Sequence, residues 1–184
     1  MVLLIAAIAI PLLIIIFMYN SLVRSKNDVE NAFAGMDVQL KQRYDLIPNL
    51  VATVKQYASH EKEILENVTS LRARATSGNL SNDEKVALDN QISKTIGGIM
   101  VAVENYPDLK ANENFINLQR TLNEVESQIS ASRRAYNAAV TDYNNAVETF
   151  PKNVMAGMMG YKRKEVFVIP EVERQNVNVA DLFK

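Results

Sequence analysis

The chain begins with a long apolar run. From Met1 to Val23 there is no charged side chain, and Val2 to Met18 is apolar throughout. About 17–20 such residues, at 1.5 Å each, cross most of a ~30 Å hydrocarbon core, which predicts a transmembrane helix over Val2 to Met18. Pro11 is tolerated in such a helix because neighbouring groups re-satisfy the carbonyl it frees. Tyr19 and Asn20 fall where an interfacial belt is expected. A cleaved leader fits less well, since no Lys or Arg precedes the run and no small-x-small cleavage site follows it. From Ser21 the pattern changes to steps of three and four: Val29, Phe33, Met36, Leu40, then Ile47, Val51, Val54, Ala58, Leu65 and Val68. That period, near 3.5, belongs to a helix burying one face. No linker separates the two patterns, so the membrane helix is predicted to run straight into a rod ending near residue 76.

Pro48 lies inside this rhythm without breaking its phase. A proline within a helix costs on the order of 3 kcal/mol, so the rod is expected either to kink here or to turn, with Asp45 capping a new helix and Pro48 in its first turn. Further on, Gly78 suits a left-handed helix end. Ser81-Asn82-Asp83-Glu84 is a capping box, and its two acidic residues complement the positive end of the helix dipole. The helix it starts, predicted over 81–106, carries Leu88, Ile92, Ile96, Ile99, Val103 and Tyr106 on one face. Gly97 and Gly98 in its middle cost roughly 1 kcal/mol each relative to alanine, which points to close approach of a neighbouring helix. A last helix, predicted over 109–150, carries Phe115, Leu118, Leu122, Val125, Ile129, Ser132, Tyr136, Ala139, Tyr143, Val147 and Phe150. The tail, 151–184, is small and apolar at Met155–Gly160, basic at Lys162, Arg163 and Lys164, and extended or short-helical over Val166–Ile169. Structureless tails of this length are uncommon in compact domains, so it is expected to dock.

The fold class is therefore all-α: a single transmembrane helix (1–20) continuing into an antiparallel bundle of three to four long helices (21–150), then an extended C-terminal tail (151–184). Composition narrows the chemistry. A net charge of −1 argues against nucleic-acid binding. With no Cys and a single His, neither a disulfide framework nor a histidine-rich metal site is available. His60 with Glu61 and Glu63 lacks the further nitrogen or sulfur ligands zinc prefers. The carboxylates Asp37, Asp45, Glu61, Glu63 and Glu66 lack the paired Glu-x-x-His motifs of a di-metal bundle. No nucleophile–base set can be named, so no catalytic residue, metal or cofactor is expected. Lys and Arg are absent before the apolar run, whereas Arg24 and Lys26 follow it, which places the N-terminus outside and the helices in the cytoplasm.

Several motifs together resemble the LemA family of bacterial membrane proteins: Tyr19-Asn20-Ser-Leu-Val23, Asn27 with Val29, Asp37-Val-Gln-Leu-Lys41, Asp45-Leu-Ile-Pro-Asn-Leu-Val51, Tyr57-Ala-Ser-His-Glu61, Asn105-Tyr-Pro107, Leu109-Lys-Ala-Asn112, Arg133 through Tyr136-Asn137, Tyr143-Asn144, and Phe150-Pro151 with Asn153. In the tail the family's Gly-Phe-Lys-Pro-like segment with two phenylalanines is replaced by Tyr161-Lys-Arg-Lys164 and Phe167. The resemblance implies one membrane helix with an external N-terminus, a cytoplasmic antiparallel helical bundle and no established catalytic activity. It also implies a link to envelope stress near a membrane metalloprotease and, in one branch, to magnetosome membranes.

Two surfaces are candidates for function. Asp37, Gln39, Lys41, Arg43, Asp45, Pro48 and Asn49 lie together on the rod and suit a polar network fixing helix register, or a subunit interface; solvated i, i+4 pairs such as Asp37–Lys41 are the plain alternative. Lys162, Arg163 and Lys164 form a basic cluster contributing roughly 1 kcal/mol per charge near an anionic leaflet. The expected partners are the lipid bilayer and further copies of the chain, with no nucleic acid. The expected function is a self-associating scaffold in the cell (inner) membrane. The alternative is an adaptor or regulator of another membrane protein, such as an envelope quality-control protease.

Overall fold

The computed structural model describes residues 1–58, 60–78 and 80–167, with side chains throughout except at 2–4 and 83. The expectations for Asp83's side chain, for Ile169 and for the tail beyond residue 167 lie outside the described residues. Among the described residues there are six helices: α1 (Val2–Lys55), α2 (Lys62–Ala75), α3 (Asn82–Val103), α4 (Pro107–Lys110), α5 (Glu113–Glu148) and α6 (Lys152–Met158). Among the described residues there is no strand.

Helix α1 is continuous for 54 residues, through both Pro11 and Pro48, and at 1.5 Å per residue is about 80 Å long. Of the two outcomes open at Pro48, kink or turn, the turn does not form there: α1 passes through Pro48, and the chain breaks instead after Lys55, between α1 and α2. Two contacts explain the difference. Pro48 has no N–H to give to the Tyr44 carbonyl, and Arg72 Nε of α2 donates to that oxygen instead, at 2.7 Å. At the true end, the amides of Gln56 and Tyr57 fall back to the Thr53 and Val54 carbonyls, a tightened last turn, with Ala58 buried beneath it. The apolar phase survives because Ala58, Leu65 and Val68 are buried on both sides of the turn.

Facing pairs fix how the helices run. Phe33 meets Tyr136 edge-on with ring centroids 5.8 Å apart, and Tyr57 Oη accepts from Asn112 Nδ2 at 3.0 Å, so residue numbers rise along α1 as they fall along α5. These two helices are antiparallel. Asp37 pairs with Lys85 at 2.7 Å and Arg43 with Asp89 at 2.9 Å, so α3 runs with α1. The core between them includes Met36, Leu40, Ile47, Leu50, Ile92, Ile99 and Ile129, all essentially without exposure. Burying each such side chain stabilises by roughly 1.5–3 kcal/mol.

The capping box forms in both directions: Ser81 Oγ accepts from the Glu84 amide at 3.3 Å while the Glu84 carboxylate accepts from the Ser81 amide at 2.8 Å. Of the glycine pair, Gly98 faces α2, where an added Cβ would lie 2.8 Å from Ile64 Cδ1, whereas Gly97 has nothing within 4 Å. Close approach accounts for one glycine, not both. The single predicted helix from 109 is instead α4 and α5, separated where Asn112 Oδ1 caps the Phe115 amide at 3.1 Å. The tail opens not extended but as α6; Gly160, with φ 70°, then turns the chain, and residues 161–167 have no regular secondary structure.

Candidate functional site

The network residues read from the sequence separate into two groups. Arg43, Asp37 and Gln39 turn inward or across to α3. Lys41 and Asp45 pair with each other at 2.6 Å in solvent, and Pro48 and Asn49 are exposed. An exposed i, i+4 pair contributes only about 0.3–0.5 kcal/mol. The structured centre is Arg43, with 2% of its surface exposed, against Asp89, with none. Asp89 accepts from Arg43 Nη1 at 2.9 Å and, through its other oxygen, from Arg133 Nη2 of α5 at 2.6 Å. Arg43 Nη1 also donates to Ser93 Oγ, Arg43 Nη2 faces the Glu126 carboxylate, and Arg133 reaches Asn90 Oδ1 at 2.9 Å. Three helices thus meet on one buried carboxylate. Two guanidinium groups and two carboxylates make the cluster neutral, which is the condition for burying charge without a large desolvation cost.

Burial pushes the Arg43 guanidinium below its ordinary range, opposed chiefly by the charge of Asp89. Burial also pushes the Tyr44 phenol up, helped by Asp89, so Tyr44 stays protonated and neutral. Gln39 Oε1, Tyr44 Oη and Arg133 Nε are buried without a hydrogen-bond partner among the described residues. Such atoms each cost roughly 1–3 kcal/mol. The arrangement has the chemistry of a charged clasp between helices.

The sequence pattern does not name Asp89, Ser93, Glu126 or Arg133 as members of the network, yet it carries a signal for two of its residues. The α1 ladder steps from Leu40 to Ile47, and the heptad position between them is Arg43. Counting back three from Ile92 in α3 lands on Asp89. A polar residue in an apolar ladder is a known specifier of register.

The basic cluster is partly occupied within the chain. Arg163 pairs with Glu148 at 3.0 Å, Lys164 Nζ lies 5.9 Å from the Tyr143 ring centroid, and Lys162 is exposed. The same segment is gripped by two asparagines of α5. Asn144 exchanges two hydrogen bonds with the backbone of Lys164, at 2.8 and 2.9 Å, and Asn137 does so with Phe167, at 2.9 and 2.8 Å. Seven helical residues rise about 10.5 Å and three extended residues about 10 Å, so the two spacings match. His60 is exposed in the α1–α2 turn, beside Glu61 and Glu63.

The motifs distributed along α1 and α5 have a counterpart in other proteins: the model of the LemA family matches residues 32–180. The chain belongs to the LemA family. Protein LemA of Metamycoplasma hominis is 27% identical over 163 residues, 89% of this chain and 74% of the relative. Magnetosome protein MamQ 2 of Paramagnetospirillum magneticum is 25% identical, and magnetosome protein MamQ of Magnetospirillum gryphiswaldense 23%, each over 81% of this chain. The chain spans less than two thirds of those magnetosome relatives, 64%. Neither LemA nor MamQ is the name of an enzyme. Within this LemA-family chain, α1 is long and apolar enough at its N-terminal end to cross a membrane.

Proposed function

We propose that the protein is a membrane-anchored, non-catalytic scaffold of the LemA type, single-pass, with an external N-terminus and a cytoplasmic antiparallel helical bundle that self-associates. The observation that carries this reading is the continuity of α1: the apolar segment and the packed core share one helix with no linker. Movement or position of the helices is therefore coupled to the bilayer. The Arg43–Asp89–Arg133 clasp suits a register device in such a scaffold, because sliding one helix by a heptad strands a buried charge, at several kcal/mol. The cytoplasmic side follows from Arg24 and Lys26 immediately after the apolar run.

Topology is tested by a single cysteine at exposed Ser70, the chain having none of its own. An impermeant thiol reagent is expected to label Ser70→Cys only after the cells are broken. Labelling in intact cells would reverse the orientation.

A second reading, adaptor to another membrane protein, draws on a groove of about 660 Å³ between the end of α1 and α2, lined by Val51, Lys55, Ala58, Lys62, Leu65 and Glu66. It lies at the far end of the cytoplasmic helices, where a partner's segment has access. Crosslinking from Lys55 or Lys62 that captures only copies of this chain would count against it.

A further inference from the structure

Because α5 is antiparallel to α1, its C-terminal end returns to the level where the apolar run stops. Lys152 Nζ donates to Ser21 Oγ there, at 2.8 Å. Helix α6 then continues past that level. Val154, Met155, Met158 and Met159 line a groove of about 650 Å³ whose other wall is Ile15, Ile16, Met18 and Tyr19. From Tyr19 to Ile15 the axial rise is about 6 Å. Between Thr149 and Tyr161 the only charged side chain is Lys152, and it is the one held back at Ser21. The outward face is apolar: Phe150 is 78% exposed, Val154 59% and Met158 86%. Gly160 then turns the chain away, and Tyr161–Phe167 run back along α5.

We infer that α6 is a second membrane-contacting element, seated in the cytoplasmic leaflet beside the span, with phospholipid acyl chains filling the groove between α6 and α1. The occupant follows from continuity. The groove's α1 wall belongs to the same apolar turns of α1 as Ile14 and Phe17, exposed side chains that meet acyl chains wherever the span is in a bilayer. An apolar face about 6 Å below Tyr19 matches the 5–10 Å depth at which interfacial amphipathic segments sit. Unbranched methionine side chains adapt to irregular acyl chains. Lys152 marks the headgroup level, and Lys162 stands above it. The inference rests on α1 crossing the bilayer.

The chain has no Trp, so single-tryptophan variants of the full-length protein report position without background. Met158→Trp and Phe150→Trp probe α6, Ile10→Trp the span, and Ile116→Trp the far end of α5. Each is reconstituted in vesicles of phosphatidylcholine and phosphatidylglycerol, with or without lipids brominated near the top of the acyl chain. Circular dichroism checks that each variant keeps its helix content. The expected result is a blue-shifted emission and about a twofold quenching by brominated lipid at Met158→Trp and Phe150→Trp, with none at Ile116→Trp. If Ile10→Trp is protected from aqueous quenchers but Met158→Trp emits like Ile116→Trp, α6 is in water and the inference fails while the membrane reading stands. A blue shift at Met158→Trp without bromine quenching means that a second copy covers the face, which also overturns it. An Ile10→Trp exposed to water would sink the membrane reading itself.

Discussion

Pro48 and Arg72 make a coupled pair whose energetics follow from one contact. Proline withholds the amide that would serve the Tyr44 carbonyl, and Arg72 Nε supplies a donor at 2.7 Å from α2. Arg72→Ala in the native sequence leaves that carbonyl without either. A hydrogen bond from a charged donor contributes roughly 1.5–3 kcal/mol, and the partial exposure of Arg72 puts the expected loss at about 1.5 kcal/mol. With Pro48→Ala, the amide at position 48 takes the carbonyl back into the helix ladder. Arg72→Ala then falls among ordinary surface substitutions, within about 0.5 kcal/mol. The coupling energy is therefore about 1 kcal/mol, well above the error expected of independent sites. Denaturant unfolding of the full-length protein in mild detergent, followed by far-ultraviolet circular dichroism at all four corners of the cycle, measures it. Equal losses from Arg72→Ala in both backgrounds would refute the reasoning, because Arg72 would then act through packing alone.

Four further outcomes are expected. Asp89→Ala removes two charge-assisted hydrogen bonds and leaves Arg43 buried against Ser93 and Glu126 only, a loss of about 3–5 kcal/mol; a loss below about 1 kcal/mol in the same unfolding assay would mean that the clasp is not a determinant of stability. Ser81→Ala removes one arm of the capping box, at about 1 kcal/mol. The other arm sets a pH dependence: hydrogen bonds from the Ser81 amide and hydroxyl hold the Glu84 carboxyl below its ordinary range. A depressed carboxyl contributes stability that is complete above its unfolded pKa, about 4.3, and lost as pH falls through the folded value. The difference between native protein and Glu84→Ala should therefore be full at neutral pH and shrink under acid; a constant difference contradicts the assignment. Gly97→Ala, with open space around its new Cβ, should stabilise the fold by the helix-propensity gain of up to about 1 kcal/mol and so raise the melting temperature. Gly98→Ala must displace Ile64 Cδ1 and should gain less, so a reversed order would contradict the packing of α2 on α3.

These contacts also show where sequence patterning reaches and where it stops. The ladders through Val29–Leu40, Leu88–Val103 and Phe115–Val147 are legible because a buried helix face repeats every three or four residues, whatever packs against it. The Ser81–Glu84 cap is legible because it is made of local bonds. The turn at 56–61 is not, since it contains neither proline nor glycine and Ala58 keeps the apolar phase across it. The proline that does stand in the rod is neutralised by Arg72, which reaches the Tyr44 carbonyl from 28 positions away. The clasp was half legible. Arg43 and Asp89 occupy ladder positions that should be apolar, but only the packed structure places Arg133 and Glu126 beside them. Helix α6 is not legible because seven residues that follow Pro151, include Gly157 and stop before Gly160 carry too little pattern to outweigh a tail reading.

The central claim is a scaffold rooted in the membrane by an uninterrupted helix and completed by copies of itself. Sedimentation velocity of the full-length protein, with the detergent or nanodisc mass accounted for separately, tests it most directly. The account predicts a discrete particle containing more than one 20.6 kDa chain, preserved across several detergents and in nanodiscs. A particle holding a single chain under every one of those conditions would contradict it.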